Sequence, residues 1–349
     1  MAFVNRAEFR AVALTVLFGA LGASGAWYLG APAPFLIGPA VVVMVAGLAG
    51  AKLTVPHKLR NACFLLIGIS MGASVTPEVI VAAKRWPLSF VMVIVMVTVL
   101  LYVAAWILQH LFRIDRKTAL LASSPGHLSF VIGLSADSKA DVPMIAVIQS
   151  VRVMALTLAV PPILSALGMA TPGPSGPQVA MELPVLAIVT AVAVGLGLLF
   201  TRWHFPAALL LGGVAASAIP HVSGFISGQV PVWIMNPVYI IIGALIGTRF
   251  SGVSIAAMRT AFIAGAVTTV VVTIMAAACA VFVSWVTGVP FNAALIAFAP
   301  GGLETMAAMA VMMHVDTTYV GSHHVIRLIF LSFLMPWVMG RVKREEKNG

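Results

Sequence analysis

One pattern of scarce residues occurs twice in this 349-residue chain, and the two occurrences stand 175 positions apart (300 − 125). The segment ASSPGHLS places Pro125 and Gly126 where AFAPGGLE places Pro300 and Gly301. Without a gap, the same offset pairs Leu128 with Leu303, Asp141 with Asp316, Arg152 with Arg327, Leu156 with Leu331 and Pro161 with Pro336. Upstream it pairs Gly38 with Gly213, Gly68 with Gly243 and Gly72 with Gly247. Matches at Ala, Val or Leu carry little weight where 61% of residues are hydrophobic, but only 9% are charged, so aligned Asp and Arg carry a great deal. A fold made from two copies of one unit follows.

The same scarcity of charge names the solvent. A soluble domain has about a quarter of its residues charged, and mean hydropathy here is +1.08. Water cannot solvate such a surface, which excludes a soluble enzyme or nucleic-acid binder and leaves lipid. One bilayer crossing takes roughly 20 apolar residues, so there is room for about ten to twelve helices. Pro, Gly and charge interruptions divide the first half into apolar segments at 11–31, 35–51, 62–83, 86–110, a broken 118–136, and 142–166. The second half divides into 184–200, 206–220, 233–250, 260–286, a broken 292–313, and 317–340. The expected organisation is a first repeat over 1–167, a Pro- and Gly-rich linker over 168–183, a second repeat over 184–340 and a basic tail over 341–349. The first apolar run resembles a leader but has a counterpart in the second half, so it is read as a structural span. Cys63 and Cys279 lie in apolar runs and suggest neither a disulfide framework nor a metal site.

Parity depends on whether each broken segment crosses the bilayer or re-enters. With five crossings per half and a cytoplasmic N-terminus, sixteen of the twenty Lys and Arg fall inside. Only Lys84 and Arg85 fall outside, and Arg152 and Arg327 lie within spans. With six crossings, Arg202, Arg249 and Arg259 would move outside. The positive-inside bias therefore favours two inverted five-helix repeats. The expected fold is an all-α polytopic membrane protein of about ten transmembrane helices, each repeat with a re-entrant broken helical hairpin. Limbs of about 7 and 11 residues reach mid-bilayer, roughly 10 to 16 Å.

At each tip, proline ends one limb and glycine allows a bent backbone, so the second limb's free amides suit an anion. The candidate substrate-binding residues are Ser123, Ser124, Pro125, Gly126, His127 and Ser129 at the first tip, and Pro300, Gly301, Gly302 and Thr305 at the second. A sealed helical kink is the plainer alternative. Arg152 and Arg327 follow their Asp by eleven residues, about 16 Å along a helix, which places a costly cation at mid-membrane. They either grip an anionic substrate or cap hairpin carbonyls, or pair with an acid such as Glu304. Glu304 replaces Ser129 of the first copy, and with Asp316 it is a candidate for cation coupling. Asp141 and Asp316 also read as helix N-caps. His323 and His324 are adjacent and so point different ways, and His314 completes no ligand set. No metal and no cofactor is expected. The Met306, Met309, Met312 and Met313 cluster reads as adaptable packing, and the Gly68, Gly72, Gly243 and Gly247 spacing as close helix contact.

SSPGHLS, APGGLET and the LIGP at 36–39, together with the duplication, resemble the AbrB-type duplicated membrane protein family, also labelled ammonia monooxygenase. LLGG at 210–213 replaces LIGP in the second copy. The family's labels imply regulation of gene expression or ammonia oxidation, but the residues supply neither a DNA-binding segment nor a copper set. The expected function is secondary transport of a small organic anion, a carboxylate, driven by H⁺ or Na⁺; a membrane sensor or regulator without flux is the alternative, and an enzyme is not expected. The partners expected are a small-molecule or ion substrate, the lipid of a bacterial inner membrane and a homo-oligomeric copy, with no nucleic acid.

Overall fold

The computed structural model describes residues 6–75, 81, 83–125, 131, 134–135, 140–169, 179–256 and 258–348. The described residues are helical apart from turns, one 3₁₀ turn at Ala83–Arg85 and an isolated parallel bridge between Ala180 and Gln229. Thirteen α-helices are described. The first half contributes α1 (Arg6–Tyr28), α2 (Pro34–Leu48), α3 (His57–Ala73), α4 (Pro87–His110), α5 (Arg116–Ser123) and α6 (Val142–Ala166). The second contributes α7 (Leu183–Arg202), α8 (Ala208–Val222), α9 (Val232–Thr248), α10 (Arg259–Thr287), α11 (Phe291–Phe298), α12 (Leu303–Met312) and α13 (Thr317–Asn348). Adding 175 carries α3 onto α9 and α5 onto α11 end for end, and the start of α6 onto the start of α13.

Among the described residues six helices are long and apolar enough to cross a membrane: α1, α4, α6, α7, α10 and the Thr317–Val342 part of α13. α4 shows why they need lipid. Val93, Val97, Leu100, Leu101, Ala104 and Leu108 are buried along one side, while Val91, Val95, Val99, Tyr102 and Trp106 form an exposed stripe. α10 repeats this with Ile263, Val270, Ile274, Val281 and Trp285 exposed. Contiguous apolar faces of this length do not persist in water, whereas hydrocarbon solvates them at no cost. The chain is an integral-membrane type of all-helical protein.

The helices group into two compact units, each drawing on both halves of the sequence. One comprises Met1–Lys84, Thr157–Val253 and Glu304–Gly321; the other comprises Arg85–Leu156, Ser254–Leu303 and Ser322–Gly349. In the first unit, small residues let helices of opposite halves touch. A Cβ on Gly68 of α3 would meet the Leu210 carbonyl of α8, and one on Gly72 would meet Val214 and Ser217. Likewise Gly243 of α9 abuts Leu36 of α2, and Gly247 abuts Ala40 and Val43. Ser251 ties the ends together, donating to Ala51 O at 2.9 Å and accepting from Leu53 N at 3.1 Å. In the second unit α4 packs on α5 and α10, α10 packs on α11, and Gly265 of α10 lies against Ile148 and Val151 of α6.

Candidate functional site

A residue preceding proline is driven out of the helical region, and the two helix breaks obey this alike. Ser124, before Pro125, has φ −60° and ψ 119°, and Ala299, before Pro300, has φ −54° and ψ 130°. α5 and α11 therefore stop with their last carbonyls unsatisfied by helix. Arginines from the following long helices satisfy them. Arg152 of α6 donates from Nη1 to Ser123 O at 3.2 Å and from Nη2 to Ser124 O at 2.9 Å. Arg327 of α13 donates from Nη1 to Ala299 O at 2.8 Å and from Nη2 to Gly301 O at 2.6 Å. A planar fork with several donors can hold two carbonyls at once, and a cation at a helix C-terminus is favourable.

One turn earlier on the same helices, Gln149 Nε2 donates to Leu121 O and His324 Nε2 lies on Ile296 O, both at 3.0 Å. A carbonyl only accepts, so His324 carries its proton on Nε2 and turns the Nδ1 lone pair to Arg327 Nη2 at 2.6 Å. The neighbouring His323 points elsewhere: its Nε2 meets Ser89 Oγ at 2.8 Å, and that hydroxyl donates to Trp86 O at 2.7 Å.

Arg327 is fully buried and Arg152 nearly so, and their charges interact. Among the described residues the one ion pair is Arg116–Glu345, both exposed. Arg327 is thus balanced by carbonyl dipoles and an imidazole lone pair, and its Nε has no hydrogen-bond partner among the described residues. Ser123, Ser124, Pro125, Pro300, Gly301, Gly302 and Thr305 are all buried. Ser123 Oγ donates back to Ala119 O at 2.7 Å. α12 starts at Leu303, so its first-turn amides lie just beyond the break, where an intrahelical acceptor is lacking. Gly126, His127 and Ser129 lie outside the described residues.

The two acids lie in the other unit. Glu304 is partly exposed and within electrostatic reach of Arg249, at the end of α9. Asp316 caps α13, accepting from Tyr319 N at 2.9 Å through Oδ1, as Asp141 caps α6 by accepting from Met144 N at 2.9 Å. Only Asp316 is among the residues lining a cavity of about 600 Å³, together with Ser70, Ser74, Gln229, Asn236, Tyr239, His314 and Thr317. Burial raises the Asp316 pKa, against the lowering effect of backbone bonds from Tyr319 and Thr318, and burial lowers that of His314. Among the described residues no three His, Cys, Asp or Glu side chains converge as metal ligands would.

The sequence singled out Arg152, Arg327 and Asp316 but not Gln149, Arg249 or the cavity. Gln149 and His324 share the 175 offset and could have been paired on that signal. The cavity draws on segments near 35, 70, 230 and 315, whose approach has no signature in a linear reading.

The family model for the transition state regulatory protein AbrB matches residues 35–343. A protein of Escherichia coli (strain K12), whose name proposes it as a regulator, AbrB, is 25% identical over 319 residues, covering 87% of this chain and 88% of its own. The uncharacterized protein YhjN of Bacillus subtilis (strain 168) is 26% identical over 289 residues, 78% of this chain and 75% of its own.

Proposed function

The chain belongs to the AbrB family, and we propose that this member is a secondary transporter of a small organic anion of the carboxylate class, coupled to H⁺ or Na⁺. The observation that carries the reading is Arg327: a fully buried guanidinium clipped to Ala299 O and Gly301 O at a helix break, with no carboxylate for a counter-ion among the described residues. The fork is occupied by carbonyls, so the residue acts as a fixed positive charge rather than as a free claw. An anion drawn to the break would meet that fixed charge.

The architecture proposed with it is ten crossings in two inverted repeats, with the broken segments 118–136 and 292–313 re-entering. The termini are cytoplasmic, in a bacterial inner membrane, and a homo-oligomer is compatible with this arrangement. In support, Asp141 N donates to Thr118 Oγ1 at 2.9 Å, so the first broken segment begins beside the point where the next helix starts, as a hairpin requires. Irregular backbone at membrane depth is tolerated where protein buries it, and both breaks are buried. Glu304 and Asp316 are the proposed coupling groups.

The test is uptake of a panel of labelled carboxylates by proteoliposomes. The wild-type protein takes up at least one, and Arg327→Ala and Arg152→Ala lose it while still inserting; full retention overturns the anion role. The relative's name and the family description favour a second reading, a membrane sensor acting on gene expression. It predicts ligand binding with no flux in the same vesicles.

A further inference from the structure

The duplicated N-cap has been put to two uses. Asp141 and Asp316 accept the same backbone bond three residues on, both at 2.9 Å. Asp316 lines a cavity of about 600 Å³ whose described lining lies entirely within one compact unit. Its described lining carries a single acid and no Lys or Arg. The titratable groups facing Asp316 are His314, from the turn between α12 and α13, and Tyr239, from α9; α2, α3 and the 229–230 stretch contribute none among the described residues. Among largely apolar walls, the uncharged polar groups are the hydroxyls of Ser70 and Ser74 of α3 and Thr317 of α13, and the amides of Asn236 of α9 and Gln229. The described lining offers an anion no fixed positive charge, which sets this cavity apart from the helix breaks.

We propose that this cavity is where the coupling ion of the transport reading above is loaded, and that the ion is a proton carried on Asp316 rather than sodium. An alkali ion is bound when a close shell of oxygens replaces its water. Here the described lining offers one carboxylate, and its polar side chains are spread round a space of about 600 Å³ rather than closed on a point. The space is wide for a desolvated ion and suits water. A proton needs only one carboxylate oxygen and a hydrated path, which the cavity and the exposed His314 at its edge supply. Partial desolvation, which raises the Asp316 pKa, acts in the same direction.

The experiment is pH-titrated infrared difference spectroscopy of the purified protein, which reads the carboxylic acid C=O band and needs no transport substrate. A band that titrates above the ordinary aspartate range of about 4, disappears in Asp316→Asn, persists in Glu304→Gln and is indifferent to replacing K⁺ by Na⁺ supports the proposal. Persistence of the band in Asp316→Asn overturns it, as does a midpoint that Na⁺ but not K⁺ displaces. Asparagine is itself a good N-cap, so the variant keeps its helix start. If vesicles move no carboxylate while the band behaves as stated, the transport reading fails and the proton site stands.

Discussion

Gln149 and His324 stand 175 residues apart, and each reaches the carbonyl 28 residues upstream of itself, Leu121 O and Ile296 O, at 3.0 Å. The two copies thus keep one hydrogen bond with different chemistry. The change from amide to imidazole places an Nδ1 acceptor against the neighbouring arginine. Protonating His324 would turn that lone pair into an N–H facing the Arg327 N–H, so the ring is held neutral by its two partners.

His324→Gln should therefore be tolerated better than His324→Leu. Glutamine can keep the bond to Ile296 O, whereas leucine leaves a buried carbonyl and a buried guanidinium donor unsatisfied. Each such loss costs about 1–3 kcal/mol. Melting of the detergent-purified variants checks this, and equal melting temperatures would mean that the Ile296 bond contributes nothing.

Arg327→Lys separates charge from clip. A lysine keeps the positive charge but cannot reproduce the planar fork that spans Ala299 O and Gly301 O. Stability should fall by about 1–3 kcal/mol while part of the carboxylate uptake survives, in contrast to Arg327→Ala. Loss of uptake equal to the alanine variant would show that the geometry of the break, and not the field of the charge, serves the anion.

These residues also mark how far the linear reading reaches. Arg152, Arg327, Asp141, Asp316 and the Pro-Gly pairs stood out because charge and Pro-Gly are rare in an apolar chain, and the helix starts near 142 and 317 followed from the same offset. That the arginines cap carbonyls is one of the readings the sequence leaves open, but which carbonyls they hold is not legible, since backbone carbonyls have no sequence identity and a guanidinium finds Ser124 O or Ala299 O through the fold alone. The apolar segment 62–83 runs ten residues past the end of α3 at Ala73, and 233–250 runs two past the end of α9 at Thr248. Glycine-rich apolar sequence runs on past the point where the helix turns. The two compact units were not legible either, because each is assembled from segments of both halves.

Gly68→Ala and Gly243→Ala should each be severe. A Cβ at 68 meets Leu210 O, one at 243 meets Leu36 O, and neither backbone can withdraw without parting α3 from α8 or α9 from α2. Overpacking of this kind costs about 1–3 kcal/mol or more. Gly195→Ala in α7 is the control, since nothing lies within 4 Å of its added Cβ; it should be neutral or slightly stabilising. Yield of monodisperse protein measures all three. A harmless Gly68→Ala would mean that the helices can separate at no cost.

Asp316→Asn should melt higher than the parent at neutral pH. Burial raises the Asp316 pKa, so between the unfolded value of about 4 and the folded one, the folded state holds more protons than the unfolded. Stability then falls as pH rises through that window and stays lower above it. Asparagine retains the cap and removes the charge. The advantage of the variant should close as pH is lowered below about 4. A variant that melts lower at every pH would show that the carboxylate's bonds to the start of α13 outweigh its burial.

The opposed orientation of the two halves makes the sharpest demand. If each broken segment re-enters, five crossings carry residue 173 to the outside and five more return the C-terminal tail to the cytoplasm. If each broken segment crosses, six and six leave both positions on one side. Cysteines introduced as Gly173→Cys and Gly349→Cys, after replacing the buried Cys63 and half-buried Cys279, should therefore respond differently to an impermeant thiol reagent on intact cells, the first labelled and the second protected. Sixteen of twenty Lys and Arg fall inside in the first case, and the bond from Asp141 N to Thr118 Oγ1 brings α5 beside the start of α6. Like labelling of the two positions would remove the inverted arrangement.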